Sequence, residues 1–204
     1  MQIENIISDI LESNTYILKK DGEALIVDCG CTLDIVENAV GENKVVGVLL
    51  THGHYDHSIN CNEYAKKFGC KIYANAKVEE TVTDFEANYS DDKSVIEDLS
   101  NFVFIEKDMT LSLGNFQVEC ISAPGHCHCC ECYLVEGNLF AGDVLFARGV
   151  GRMDLKSSSK EDMYSSLLKL EKLDFDKVFS GHGESTLRDA QLKNINIFKK
   201  FLSR

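Results

Sequence analysis

Thr51-His52-Gly53-His54-Tyr55-Asp56-His57 gathers three of the chain's six histidines into six consecutive positions. It closes an apolar, β-branched run of strand type over 45–51. It opens onto 58–68, where Ile59, Cys61, Tyr64, Ala65 and Phe68 are spaced for one side of a helix that Gly69 would stop. Residues i and i+2 of an extended chain project to the same side. His52 and His54 can therefore grip one ion together, and Asp56 and His57 follow at the turn, placed to face a second. Imidazole nitrogen with carboxylate oxygen suits zinc, and also iron or manganese. A structural zinc more often sits in a closed shell of four ligands rich in cysteine; histidine and aspartate with open positions point to catalysis. A lone histidine on an apolar strand is usually a satisfied core residue. Three of them with an aspartate at this spacing are not accounted for that way.

The motif resembles the H-x-H-x-D-H signature of the metallo-β-lactamase superfamily. That resemblance calls for three further ligands downstream, and each has a match in order: Ala123-Pro124-Gly125-His126, Phe140-Ala141-Gly142-Asp143 and Gly181-His182-Gly183. Three more stretches are similar to the short glyoxalase II-like branch. They are Gly142-Asp143-Val144-Leu145-Phe146, Gly149-Val150-Gly151-Arg152-Met153-Asp154-Leu155 and Ser180-Gly181-His182-Gly183-Glu184-Ser185-Thr186. The resemblance implies an α/β fold, a four-layer αββα sandwich in one domain over 1–204. It implies one ion on His52, His54 and His126, another on Asp56, His57 and His182, and Asp143 bridging, with Asp56 and Asp143 in the catalytic role. Asp28, in Val27-Asp28-Cys29-Gly30, falls on a loop that the family places near the site. It reads as a carboxylate orienting a ligand histidine, or as a simple turn residue.

The implied cofactor is a pair of divalent ions, zinc first, with iron or manganese as alternatives. The implied reaction is hydrolysis of a small-molecule thioester such as a hydroxyacyl-glutathione. A thiol has a pKa of about 8.5, so its anion leaves with little help from an acid. The longer glyoxalase II enzymes carry a C-terminal helical domain that helps to bind glutathione; here only 184–204 follow Gly183, so glutathione specificity does not carry over. The alternatives are a lactonase, β-lactamase or phosphodiesterase on the same site, or a mononuclear-iron, sulfur dioxygenase-like oxidoreductase on His52, His126 and Asp143. A metal or redox sensor that has kept the fold is a further one. Arg152 fits the family's Gly-Arg-x-Asp and reads as structural; Arg148 reads as a surface residue.

Where relatives follow the Pro-Gly-His turn with small residues, this chain has Cys127-His128-Cys129-Cys130-Glu131-Cys132. Cys29 and Cys31 lie on the Asp28 loop. Nine cysteines, an odd count without a secretory signal, argue against a disulfide framework. Buried small hydrophobes are one reading of them. Auxiliary thiols at Cys29, Cys31, Cys127, Cys129, Cys130 and Cys132, binding metal or sensing redox state, are the other. His128 reads as a residue beside the site rather than a ligand.

Bulk properties agree with a globular enzyme: 204 residues, 44% hydrophobic and 26% charged. A net charge of −12 without a basic run argues against nucleic acid. No apolar run reaches the length of a membrane span, and the expected location is the cytoplasm. Strands are expected at 2–8, 14–19, 24–28, 111–113, 116–122, 132–135, 139–141 and 178–179. Hairpin turns fall at Asp21-Gly22 and Gly137-Asn138. Helices are expected at 160–173 and 190–201, and 76–100 reads as mostly helical.

Overall fold

The computed structural model describes residues 1–91 and 93–203. Its first half runs β1 (Gln2–Ile7), β2 (Asn14–Lys20), β3 (Glu23–Val27), α1 (Leu33–Val40), β4 (Lys44–Leu49), α2 (Tyr55–Ser58), α3 (Cys61–Phe68), β5 (Ile72–Asn75), α4 (Val78–Val82), α5 (Phe85–Asn88) and β6 (Phe102–Ile105). The second half runs β7 (Met109–Leu113), β8 (Phe116–Ser122), β9 (Glu131–Val135), β10 (Asn138–Gly142), β11 (Leu145–Phe146), β12 (Gly149–Val150), α6 (Lys160–Leu170), β13 (Lys177–Ser180), β14 (Thr186–Leu187) and α7 (Arg188–Leu202). One sheet is ordered β1-β2-β3-β4-β5-β6 and the other β14-β13-β10-β9-β8-β7; β11 and β12 form a separate ribbon.

The period-2 alternation of the strands sorts the apolar side chains into layers. Tyr16, Leu18, Leu25, Val27 and Leu49 of the first sheet meet Phe116, Val118, Tyr133, Val135, Phe140 and Phe179 of the second. On the outer faces, Ile17, Ala24, Ile26 and Val48 join Val36, Val40, Tyr64 and Ala65 of the helices, while Leu139, Ala141 and Val178 join Met163, Leu167, Leu170 and Ile195. The result is the expected αββα sandwich.

Two tyrosines bind the sheets together at the end where the histidine loops emerge. Tyr16 Oη donates to Ser180 O at 2.7 Å, and Tyr133 Oη reaches Leu50 O at 2.9 Å and Tyr73 O at 3.0 Å. The Tyr16, Phe140 and Phe179 rings pack at centroid distances of 4.9–5.4 Å. Such pairs add stabilisation beyond their buried area, and here they hold the sheet edges at a fixed separation.

Several expectations need correction. Residues 76–100 are not one helix but α4, α5 and an irregular stretch. Asp84 starts α5 by accepting from Glu86 N at 2.9 Å, and Tyr89 ends it at φ 61°. The expected helix at 58–68 breaks at Ile59-Asn60, because the Asn60 amide turns to donate to the carbonyls of Cys29, Gly30 and Cys31. Gly69 does end α3, at φ 62°. The Asp21-Gly22 turn holds, with both φ positive; the second hairpin turns one residue earlier, at Glu136-Gly137, again with both φ positive. Helix α6 stops at Leu170. Among the described residues, no helix is long and apolar enough to cross a membrane.

Candidate metal centre

Every residue in the implied ligand set follows the C-terminal end of a strand. Asp28 follows β3; His52 and His54 follow β4; Asp56 and His57 open α2. His126 follows β8, Asp143 follows β10 and His182 follows β13. Strands β3 and β4 run parallel, as do β10 and β13, so these loops collect at one edge of the sandwich. Gly53 lets the first loop press on α4: a Cβ there would lie 2.8 Å from Thr81 Cβ.

Two groups of donor atoms result. In the first, His52 Nε2 is 3.0 Å and His126 Nε2 is 3.1 Å from His54 Nδ1. In the second, His57 Nε2 is 3.3 Å from Asp56 Oδ2, and His182 Nε2 is 3.1 Å from Asp56 Oδ2 and 3.3 Å from His57 Nε2. Asp143 stands between them. Its Oδ1 is 3.5 Å from His57 Nε2, and its Oδ2 is 3.5 Å from His126 Nε2 and 3.6 Å from His182 Nε2. The sets His52/His54/His126, His52/His57/Asp143 and Asp56/His57/His182 each keep their donor atoms within 4.8 Å of one another.

The far side of the rings decides what these atoms can do. His126 Nδ1–H donates to Arg152 O at 3.1 Å, and His57 Nδ1–H donates to Asp28 Oδ2 at 2.8 Å. His52 Nδ1–H donates to Thr51 Oγ1 at 3.1 Å, and that hydroxyl donates to Asp28 Oδ2 at 2.9 Å. In these tautomers the Nε2 atoms of His52 and His126 carry lone pairs aimed inward, while His57 Nε2 faces Asp56 Oδ2 and Asp143 Oδ1. Lone pairs facing lone pairs repel unless a cation lies between them. Asp143 Oδ1 is buried without a hydrogen-bond partner, as an oxygen reserved for a cation would be. The donor set therefore fits two cations.

Electrostatics points the same way. Burial, reinforced by His57, His54 and His126, holds His52 well below the usual imidazole range, and burial lowers His126. Both are neutral donors. Burial acts in the opposite direction at Asp56, His57 and His182, but the charges outweigh it. The His57 charge and hydrogen bonds from His182 and His57 depress Asp56. Asp56, Asp28 and Asp143 raise His57, and Asp56 and Asp143 raise His182. Three carboxylates so placed call for positive charge, which a divalent ion supplies.

Asp28 therefore does more than turn the chain at its φ of 63°: it hydrogen-bonds the ring of His57, one of the candidate ligands. Thr51, the Arg152 carbonyl and Tyr89, whose ring packs edge-on to His54 with centroids 5.2 Å apart, belong to the site unannounced. A cavity of about 230 Å³ opens above the donors, lined also by Leu11, Tyr55, Asn88, Tyr89, Arg152 and Leu155.

All nine cysteines are buried and free. The structure sets Cys127 against Cys129, Sγ to Sγ 3.1 Å. Donation from Cys129 and then Cys130 holds the Cys127 thiol low, while burial pushes Cys129 and Cys130 up. The other thiols expected near the site lie apart from this pair. Cys29 adjoins Cys61, Cys31 donates to Ile6 O at 3.7 Å and Cys132 to Ala141 O at 3.8 Å. His128 pairs with Glu80 at 3.4 Å, outside the donor groups.

Comparison with known proteins gives a consistent picture. The family model described as "Metallo-beta-lactamase superfamily" matches residues 9–182. The chain is 31% identical to the probable metallo-hydrolase YqgX of Bacillus subtilis, over 86% of this chain and 87% of that protein. It is 29% identical to the probable polyketide biosynthesis zinc-dependent hydrolase PksB of Bacillus subtilis, over 78% of this chain and 67% of that one. Among solved structures it is similar to the BLEG-1 B3 metallo-beta-lactamase, with a TM-score of 0.85, 26% identity and full coverage of both chains.

Proposed function

The chain belongs to the metallo-beta-lactamase superfamily and is a metal-dependent hydrolase, and from that premise we propose that it is a two-metal thioesterase of the glyoxalase II-like branch. The observation that carries this reading is the pairing of two donor groups through Asp143 at the foot of one cleft. His52, His54 and His126 would hold one ion, Asp56, His57 and His182 the other, with Asp143 between them. Zinc is the first choice, and iron or manganese suits the same donors. When bound, such a pair supplies Lewis acidity toward a carbonyl and lowers the pKa of water to about 7.

The protein's own part is to orient and to exclude. Asp28 and Thr51 fix the His57 and His52 rings, and Tyr89 and Leu155 wall the cleft. Apart from the donor residues, the described cleft lining offers no carboxylic acid to protonate a leaving group. A thiolate leaves without one, and this favours a small-molecule thioester, of glutathione or another thiol, over an amide. A mononuclear-iron oxygenase on His52, His126 and Asp143 would give the Asp56/His57/His182 group no work, and that group supports the hydrolase.

The test combines metal analysis with a substrate panel. Two ions per chain and thiol release from S-lactoylglutathione or a simpler acyl thioester is the expected result. Hydrolysis confined to a lactone, a β-lactam or a phosphodiester would overturn the thioesterase reading. One iron with dioxygen uptake would overturn the hydrolytic one.

A further inference from the structure

The chain places a second reactive group beside the metal donors, and the chemistry above does not use it. Cys127 follows His126 directly. The stretch 127–130 turns tightly, with Cys130 N donating to Cys127 O at 3.2 Å. A β-turn brings its end Cα atoms within about 7 Å, so residues i and i+2 inside it fall within the Cα span that a disulfide bridges, about 4.4–6.8 Å. The side chains use that proximity. Cys127 Sγ and Cys129 Sγ are 3.1 Å apart, closer than the roughly 3.5–4.0 Å at which carbon atoms pack best. Thr81 Oγ1 lies 3.7 Å from the first and 3.5 Å from the second, holding both sulfurs on one side of the turn. Ser157 Oγ donates to Cys127 Sγ at 3.3 Å. Ser157 is half-buried, on the irregular stretch after Leu155 that borders the cleft. Cys127 and Cys129 are both fully buried, so a peroxide reaches them only when the surrounding chain opens locally.

We propose that Cys127 and Cys129 form a redox-active dithiol, a modification site that a hydroperoxide converts to an intramolecular disulfide. In the first step Cys127 sulfur attacks the O–O bond of hydrogen peroxide, giving a sulfenic acid on Cys127 and one water. In the second, Cys129 sulfur attacks that sulfenic sulfur, the S–O bond breaks, and its oxygen leaves with the Cys129 proton as a second water. Two thiols are oxidised by two electrons and one peroxide is reduced. The bridge closes a ring across a single intervening residue, and a strained, short-range disulfide of this kind is readily reduced by a dithiol. The bond tethers the loop that carries His126, so the thiol state is read directly beside the metal donors.

The experiment uses the metal-loaded protein and hydrogen peroxide, followed by alkylation, non-reducing digestion and mass spectrometry. The expected result is a peptide spanning 127–132 that is lighter by about 2 Da, with Cys130 and Cys132 alkylated and Cys127 and Cys129 protected. Dithiothreitol should restore alkylation of all four. Cys129→Ala and, separately, Cys129→Ser should abolish the protected pair and leave Cys127 as a sulfenic or higher acid. The wild-type map stands on its own should either variant fail to fold. Full alkylation of Cys127 and Cys129 after peroxide would overturn the proposal, as would a bridge joining Cys127 to Cys130.

Discussion

Asp28 Oδ2 accepts from His57 Nδ1 at 2.8 Å, and both side chains are shut away from solvent. The same oxygen accepts from Thr51 Oγ1, while Oδ1 accepts from Thr51 N at 2.8 Å. One carboxylate thus sets the rotation of His57 and, through Thr51, that of His52. It does so from a left-handed backbone position with φ 63°, uncommon for residues other than glycine but better tolerated by asparagine and aspartate.

Asp28→Asn therefore keeps the fold while removing the charge behind His57. Loss of such a partner typically costs 10–100-fold in metal affinity. The expected outcome is weaker retention of the ion at Asp56, His57 and His182, with an unchanged circular dichroism spectrum. Competition with a graded chelator measures it. Equal retention in variant and wild type would remove Asp28 from the metal centre.

Chelation itself should abolish hydrolysis and lower the melting temperature. Removing the ions leaves Asp28, Asp56 and Asp143 buried around the His57 ring. A ligand present at a hundred times its dissociation constant stabilises the folded state by about 2.7 kcal/mol, so two ions contribute up to twice that. Calorimetry before and after dialysis against chelator, and again after adding zinc, manganese or ferrous iron, reads both the size and the preferred metal. An unshifted melting temperature would mean that the donors bind no ion in the native state.

Gly53→Ala tests the close approach between the histidine loop and α4. The added carbon would meet Thr81 Cβ at 2.8 Å, and Thr81 Cγ2 and Val82 Cγ1 at 3.0 Å. Overpacking of this kind costs about 1–3 kcal/mol, and at this chain length each kcal/mol lowers the melting temperature by about 2–4 °C. Metal retention should fall too, because the loop can yield only by moving His52 or His54. A variant as stable as wild type, with full metal content, would show that the loop has room.

The candidate donors are legible in the sequence because ligand geometry imposes local spacing: His52, His54, Asp56 and His57 lie within six residues, and the fold brings their donor atoms together. His126, Asp143 and His182 were legible only by resemblance, since nothing in their own neighbourhoods announces a partner 70 or more residues away. The supporting partners were harder still. Thr51 is an ordinary strand residue until Asp28 folds over it, and the Arg152 contribution is a backbone carbonyl that no side-chain pattern reports. Tyr89 lies in 76–100, which reads as mostly helical from the sequence, but Asp84 and Tyr89 start and stop α5 within one turn. The cysteines on the Asp28 loop were adjacent to the site in sequence, yet Cys29 faces Cys61 instead.

Glu131 gives a prediction about stability rather than catalysis. It begins β9 fully buried; Oε2 accepts from Asn75 Nδ2 at 2.9 Å, and Oε1 has no hydrogen-bond partner. Burial pushes its carboxyl up to about 7, against the hydrogen bond from Asn75, which lowers it. The folded-state value is raised above the unfolded one near 4.5. The protonated form is therefore the one that the fold favours. Its contribution is fully present below about pH 4.5, declines as pH rises and is lost above about pH 7. At 1.36 kcal/mol per unit, the upper bound is about 3 kcal/mol. Glu131→Gln keeps an oxygen for Asn75 and cannot ionise. It should match wild type near pH 5 and exceed it by about 1–3 kcal/mol at pH 8, read from urea unfolding at both pH values with metal held constant. A variant less stable than wild type at pH 8 would mean that Glu131 is ionised in the fold and held there by a partner such as Lys169.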